Sequence, residues 1–299
     1  MMNHKRILVA LSLLYGRDVA FERALALAKA SGAELYLLHA VPANERFSYR
    51  AAERLQRSTE LRERAGAAGV NALTVEQHGD PAEIIVLHAD ARPVDLIVMG
   101  TERRTGWARL RERSVAEQVL RRTKRPTLVV RRDDTGDGPA FENVLVAVDL
   151  SPASTGLIDT ALQLPGGESR QLTVIHAVSG LEAVAAVRDR ARWMVTEYRG
   201  GGGYVRDATR QQLADVMPSG VGTNVGLHVA AGPAAETIRA HAEEANADLI
   251  VMGRSKRFMH LGSTAVRVLR NTDRALLIVP PGAFAQTIDV EPSVHTRAA

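Results

Sequence analysis

The chain has 299 residues, 45% of them hydrophobic and 24% charged, with a net charge of +4, which suits one large or two average domains. It contains no cysteine, so disulfides, thiolate metal sites and cysteine nucleophiles are excluded together. No apolar run is long enough to span a bilayer, and the charge is too small on its own to argue for nucleic acid.

The first element is an apolar run over Arg6–Leu11, preceded by His4 and Lys5. It has the outline of a secretory leader, but no small-residue cleavage site follows, so a buried strand in a cytoplasmic protein is expected. Further strands are expected near Leu35–Ala40, Ala72–Gln77, Leu96–Met99 and Thr127–Arg131, alternating with helical patterns at Val19–Ser31, Tyr49–Ala68, Pro81–Ala91 and Ser114–Arg122. Continuous apolar strands between helices predict a parallel sheet covered on both faces. Right-handed crossovers make that a doubly wound α/β structure.

After an Asp-, Gly- and Pro-rich linker at Asp133–Ala140, the same pattern begins again. RILVALS at Arg6–Ser12 answers VLVAVDLS at Val144–Ser151, and YLLHAV at Tyr36–Val41 answers TVIHAV at Thr173–Val178. GDPAEII at Gly79–Ile85 answers GPAAETI at Gly232–Ile238, VDLIVMG at Val94–Gly100 answers ADLIVMG at Ala247–Gly253, and RPTLVV at Arg125–Val130 answers RALLIV at Arg274–Val279. Five blocks in one order mark a tandem duplication. The expected architecture is two doubly wound domains, residues 1–132 and 141–281, each a five-stranded parallel sheet with helices on both faces, and a tail over 282–299.

The second copy is longer between its first and fourth strands, and the extra residues fall around Glu197–Asp207, where four glycines interrupt a helical pattern. A surface loop is the simpler reading and a lid the sharper one. No Gly-Lys-[Ser/Thr] follows, so it is not a phosphate-cradling P-loop.

Ligands of doubly wound sheets sit outside the carboxyl ends of strands where the strand order reverses. The candidate site of the second copy therefore combines Asp149, after the first strand, with Gly253, Gly262, Ser263 and Thr264, after the fourth. A glycine lets a phosphate approach the backbone, and the next helix offers free N–H groups and a favourable dipole. Tight packing of the two glycines and a turn or cap role for Asp149, with Ser151 as the other possible cap, are the structural alternatives.

Asp149 after a VLVAV strand, the IHAV strand end, the DLIVMG strand and the GST helix start resemble the universal stress protein family. The resemblance covers nearly the whole chain, once per copy. It implies small parallel α/β domains that pair through their last strands, here near Thr127–Arg131 and Leu276–Val279, giving a pseudo-dimer within one chain; further homodimer formation is left open. Many members bind ATP through Gly-x-x-Gly-x9-Gly-[Ser/Thr], and others lack the motif. Here Gly253, Gly262 and Ser263 match, Lys256 replaces the middle glycine, and Gly253 to Ser263 is ten steps where the family has fourteen. Ala147, Val148, Ala177 and Met252 would wall the base. In the first copy Gly100 to Ser114 is fourteen steps, but Arg103 and Arg113 replace the later glycines and Ser12 replaces the acid.

The resemblance implies a non-catalytic stress-response module with ATP in the second copy, a degenerate first copy and an unidentified protein partner. A nucleotide-independent scaffold and a slow ATPase are the alternatives, the latter weakened by the missing Walker lysine-serine pair. Arg103, Arg104, Arg109, Arg111 and Arg113 surround Trp107, and a basic run follows at Arg121–Arg125. They read as a solvated loop and helix end more readily than as an anion or nucleic-acid site, which would want more aromatics. The matching pairs His39/His176 and His88/His241 lack a convergent ligand cluster and read as structural. No Gly-x-Ser-x-Gly elbow is present.

Overall fold

The computed structural model describes residues 6–13, 18–42, 50–101, 114–131, 141–165, 169–178, 210–218, 225–254 and 261–283. The linker, Lys256, the arginines of the first copy's loop with Trp107, the four-glycine segment and all but the first two residues of the expected tail lie outside them.

The first half runs β1 (Arg6–Leu11), α1 (Val19–Ser31), β2 (Glu34–Val41), α2 (Ala51–Ala67), β3 (Ala72–His78), α3 (Pro81–Ala91), β4 (Leu96–Thr101), α4 (Val115–Arg122) and β5 (Thr127–Arg131). The second runs β6 (Asn143–Val148), α5 (Ser154–Gln163), β7 (Gln171–Val178), β8 (Val225–Ala231), α6 (Ala234–Glu244), β9 (Leu249–Gly253), α7 (Ser263–Asn271) and β10 (Ala275–Val279). A further helical stretch covers 210–215.

Local chemistry fixes the sharper boundaries. Asp18 caps α1 by accepting from the Phe21 N–H, and Gly32 closes it in the left-handed region at φ 71°, where a side chain would be strained. Asp80 caps α3 and Pro81 opens it, the favoured position for proline. By contrast, Arg50 makes no side-chain cap at α2, and there the observed start differs most from the expected one.

The ten strands of the described residues form one sheet in the order β3-β2-β1-β4-β5-β10-β9-β6-β7-β8. Every pairing is parallel except β5 with β10, where Leu276 faces Val129, Leu277 faces Leu128 and Ile278 faces Thr127. The last strands of the two halves thus pair about a pseudo-two-fold axis. Both are buried throughout, so two strand edges that would template aggregation are closed. One core face carries Phe21 and Leu27 of α1 with Leu157 and Ile158 of α5, and the other Val119 and Leu120 of α4 with Val268 and Leu269 of α7. Both clusters run unbroken from one half into the other.

Polar contacts cross the same seam, and they are not symmetric. Glu117 of α4 is buried and takes Arg121 Nη2 at 3.0 Å on one oxygen and Arg270 Nη2 of α7 at 2.7 Å on the other. The two guanidiniums outweigh desolvation and hold the Glu117 carboxyl below its ordinary range. Arg131 donates to the Leu269 carbonyl at the end of α7, and Arg254 donates to the Thr123 carbonyl at 2.6 Å at the end of α4. Cations suit those helix C-termini. Because β5 and β10 run antiparallel, the strand tops of each half lie beside the helix C-terminus of the other.

Candidate functional site

In both halves the strand order reverses between the first and fourth strands, β1 beside β4 and β6 beside β9. Two crevices result, at opposite ends of the sheet, built from matching elements but finished differently.

In the second half β6 ends with Ala147 beside Met252, both nearly buried, followed by Val148, also nearly buried. Asp149 is exposed beyond them, and Ala177 is half-buried on the neighbouring strand. The chain turns at Leu150, a non-glycine residue at φ 56°. Asp149 Oδ1 supports that turn by accepting from the Ser151 N–H at 3.1 Å and the Ser154 Oγ–H at 3.5 Å. Ser151 itself caps nothing, since α5 begins after Ala153 with no side-chain cap. Oδ2 of Asp149 is the oxygen that neither bond uses.

Gly253 closes β9 and is exposed. A Cβ there would meet nothing nearer than Leu157 Cδ2 at 3.8 Å, and one at Gly262 would meet nothing within 4 Å. Gly262 has φ −62° and ψ 155°, a conformation open to any residue. Among the described residues, therefore, neither glycine is explained by tight packing, and neither has a positive φ. Gly262 is the N-cap of α7 and offers no side-chain bond. The first helical bond runs from the Val266 N–H to the Gly262 carbonyl, leaving the N–H groups of Ser263, Thr264 and Ala265 without helical partners. Ser263 is exposed and Thr264 half-buried at this helix start.

The first crevice uses the same groups internally. Ser12 stands where Asp149 stands in the repeat, and a different acid, Asp18, reaches back from the start of α1. Its Oδ2 accepts from the Ser12 N–H at 3.0 Å and its Oδ1 from the Phe21 N–H at 3.1 Å. Burial pushes the Asp18 pKa up, while those backbone donors and Arg57 oppose the shift. At the other wall Ser114 caps α4, its Oγ accepting from the Glu117 N–H at 3.1 Å.

The repeated histidines are satisfied within the fold. His39 Nδ1 lies 3.1 Å from the Leu11 carbonyl and His176 Nδ1 lies 2.9 Å from the Val148 carbonyl. Each ring donates to the last carbonyl of the adjacent first strand. His88 contacts Tyr36 Oη at 2.7 Å and Gln77 through its other nitrogen, and burial followed by Arg92 pulls its pKa down. Among the described residues, no three histidine or acidic side chains gather as metal ligands, and no helix is long and apolar enough to cross a membrane.

The structure thus brings Ala147, Val148, Asp149, Ala177, Met252, Gly253, Gly262, Ser263 and Thr264 to one end of the second sheet half. Sequence reasoning missed Asp18, Glu117 and Arg254. The one available signal lay in the repeat itself: Glu117 and Arg254 fall where the other copy has Val266 and Thr101.

Comparison with known proteins agrees with this geometry. The universal stress protein family model matches twice, over residues 3–131 and 140–280. A universal stress protein of Methanocaldococcus jannaschii is 33% identical over 39% of this chain and 78% of its own length. A crystal structure of a universal stress protein from Archaeoglobus fulgidus superposes with a TM-score of 0.66 at 21% identity, covering 92% of this chain and 96% of that one. Another from Archaeoglobus fulgidus, solved in complex with dAMP, covers 43% of this chain and 98% of its own, with a TM-score of 0.34 and 22% identity.

Proposed function

Because this chain belongs to the universal stress protein family, we propose that it is a non-catalytic stress-response module whose second half binds an adenine nucleotide, ATP, while its first half serves as a fixed structural partner. The observation that carries this reading is the pair Gly253 and Gly262. Each has room for a Cβ, each sits at the crevice, and Gly262 leads into a helix start that no side chain caps. Glycines that packing does not require are accounted for by a ligand that needs the space they leave.

The roles follow from the chemistry of each group. The N–H groups of Ser263, Thr264 and Ala265, with the α7 dipole, suit phosphate oxygens, and the Ser263 and Thr264 hydroxyls add donors. Asp149 Oδ2 is placed to accept from a ribose hydroxyl or a base amine. Ala147, Val148, Ala177 and Met252 supply the apolar wall of a base, and Lys256 a point charge in the shortened loop. In the first crevice Ser114 takes one N–H of the α4 start and Asp18 takes two N–H groups beside the end of β1, so the first half offers fewer free donors to the same ligand.

Calorimetric titration of Mg-ATP into the full-length protein tests this, after denaturing extraction to identify any co-purified small molecule. One nucleotide per chain, lost in Asp149→Ala, is the expected result. Absence of both heat and extracted nucleotide would favour the scaffold reading, for which the first crevice, where side chains meet three backbone N–H groups, is the precedent within the molecule.

A further inference from the structure

Arg254 follows Gly253 directly, and its backbone is fixed by a 2.9 Å bond from its N–H to the Val279 carbonyl. Strand alternation places its side chain on the same sheet face as Ile250 and Met252, the face covered by α4 and α7. There Arg254 Nη1 donates to the Thr123 carbonyl at 2.6 Å and lies 3.4 Å from the Leu120 carbonyl, both at the end of α4 in the other half. Its Nε is buried and meets no partner among the described residues. Among the described residues its hydrogen-bond partners are carbonyl oxygens, and burial lowers its pKa. Arg254 is thus a desolvated cation with neutral acceptors on one side, an unused donor, and the proposed phosphate-binding backbone one residue away.

We propose that Arg254 is an anion-binding residue of the second crevice and that, through its grip on α4, it reports the occupancy of that crevice to the first half. The inference rests on the nucleotide reading above and adds to it a ligand contact and a direction of coupling. A half-buried guanidinium held by carbonyl dipoles gains most from an anion. The phosphate groups of a nucleotide on Gly253 and the α7 start supply that charge at the end of the same strand. Its planar fork serves two partners at once, which an ammonium cannot do in the same geometry. A phosphate that orders the guanidinium also orders the carbonyls of Leu120 and Thr123, so α4 is held more firmly when the crevice is filled. By reciprocity, a loosened α4 weakens the ligand by the same factor. The counterpart of Arg254 in the first half is Thr101, and the arginine that grips α7 from the first half, Arg131, comes from the last strand and not from the end of the fourth, so only the second crevice is coupled through its fourth strand.

The test combines Mg-ATP calorimetry with hydrogen exchange of the α4 amides in the full-length protein, for wild type, Arg254→Gln and Arg254→Lys. In wild type, Mg-ATP should slow exchange at the end of α4, beyond any change in α3. Arg254→Gln should weaken binding about tenfold, the worth of one charge-assisted hydrogen bond, and remove the α4 response. Arg254→Lys should recover part of the affinity without the α4 response, which separates charge from bridging and guards against misfolding of the glutamine variant. Heat of binding with unchanged α4 exchange, or undiminished affinity in Arg254→Gln, would overturn the inference and leave the nucleotide reading standing. No heat in wild type would overturn both.

Discussion

The helix starts of α4 and α7 occupy corresponding places in the two halves and have almost the same cap geometry, φ −62° with ψ 154° at Ser114 and ψ 155° at Gly262. At Ser114 a hydroxyl satisfies the Glu117 N–H; at Gly262 there is no side chain to do so. The same contrast holds across each crevice. Asp18 turns its carboxylate inward onto two backbone N–H groups, whereas exposed Asp149 uses one oxygen in its turn and keeps the other. A duplicated unit can therefore become either a closed structural block or an open site through a few side chains. The deciding question is whether the free backbone donors are met from within.

The largest effect should come from breaking the seam that makes the halves unequal. Removing one member of a buried ion pair costs about 3–5 kcal/mol, but Arg121 and Arg270 are 25% and 53% exposed, so water recovers part of the loss. Glu117→Ala is therefore expected to cost about 2 kcal/mol in denaturant unfolding. The pH dependence has a definite sign. The folded pKa of Glu117 lies below its ordinary 4.5, so its contribution is complete above the unfolded value and is lost as pH falls through the folded one. In Glu117→Gln that acid-side loss should vanish; an unchanged acid profile would mean the two arginines do not hold the carboxylate.

Opening the first crevice comes next. Asp18→Ala should cost about 1–2 kcal/mol, the upper range for a helix N-cap, because a second donor, the Ser12 N–H, is orphaned with it. Asp18 has the opposite pH sign. Its pKa is raised above the ordinary 3.8 by burial, so its contribution is complete below the unfolded value and is lost as pH rises through the folded one. Asp18→Asn should be milder than alanine and should flatten that dependence. Ser114→Ala should cost about 1 kcal/mol, the typical value of a serine cap, while Ser114→Gly, which puts at this cap the residue type found at the α7 cap, should cost only a few tenths.

The smallest effect on stability sharpens the comparison most. Gly262→Ala has room for its Cβ and an ordinary φ, so urea unfolding should shift by no more than about 0.5 kcal/mol. Mg-ATP affinity should nevertheless fall, because the methyl enters the space assigned to the ligand. A large loss of stability would instead make Gly262 a packing residue and remove the main support for the nucleotide reading.

Much of the fold was legible because its signals are local and repeated. Buried strands such as Arg6–Leu11 and Thr127–Arg131 carry the unbroken apolar runs Ile7–Leu11 and Leu128–Val130, and the helices between them carry amphipathic patterns. The repeat extended each assignment to the second copy, and it located Asp149, Gly253, Gly262 and Ser263 at strand and helix ends. What stayed hidden depends on contacts between residues far apart in the chain. Arg254 meets Thr123 and Arg270 meets Glu117 only because β10 folds back antiparallel onto β5. No local periodicity encodes such a meeting.

By itself, then, the sequence determined two α/β halves, the end of each sheet where a ligand is to be sought, and the departures of each loop from its family. Tertiary structure alone decided which backbone donors are already satisfied, that the glycines of the second crevice have room for a Cβ among the described residues, and that an arginine beside them holds the other half. The physical reason is that hydrophobic pattern and capping act between residues within a turn or two of each other. Satisfaction of hydrogen bonds and charges depends on whatever the finished fold brings near.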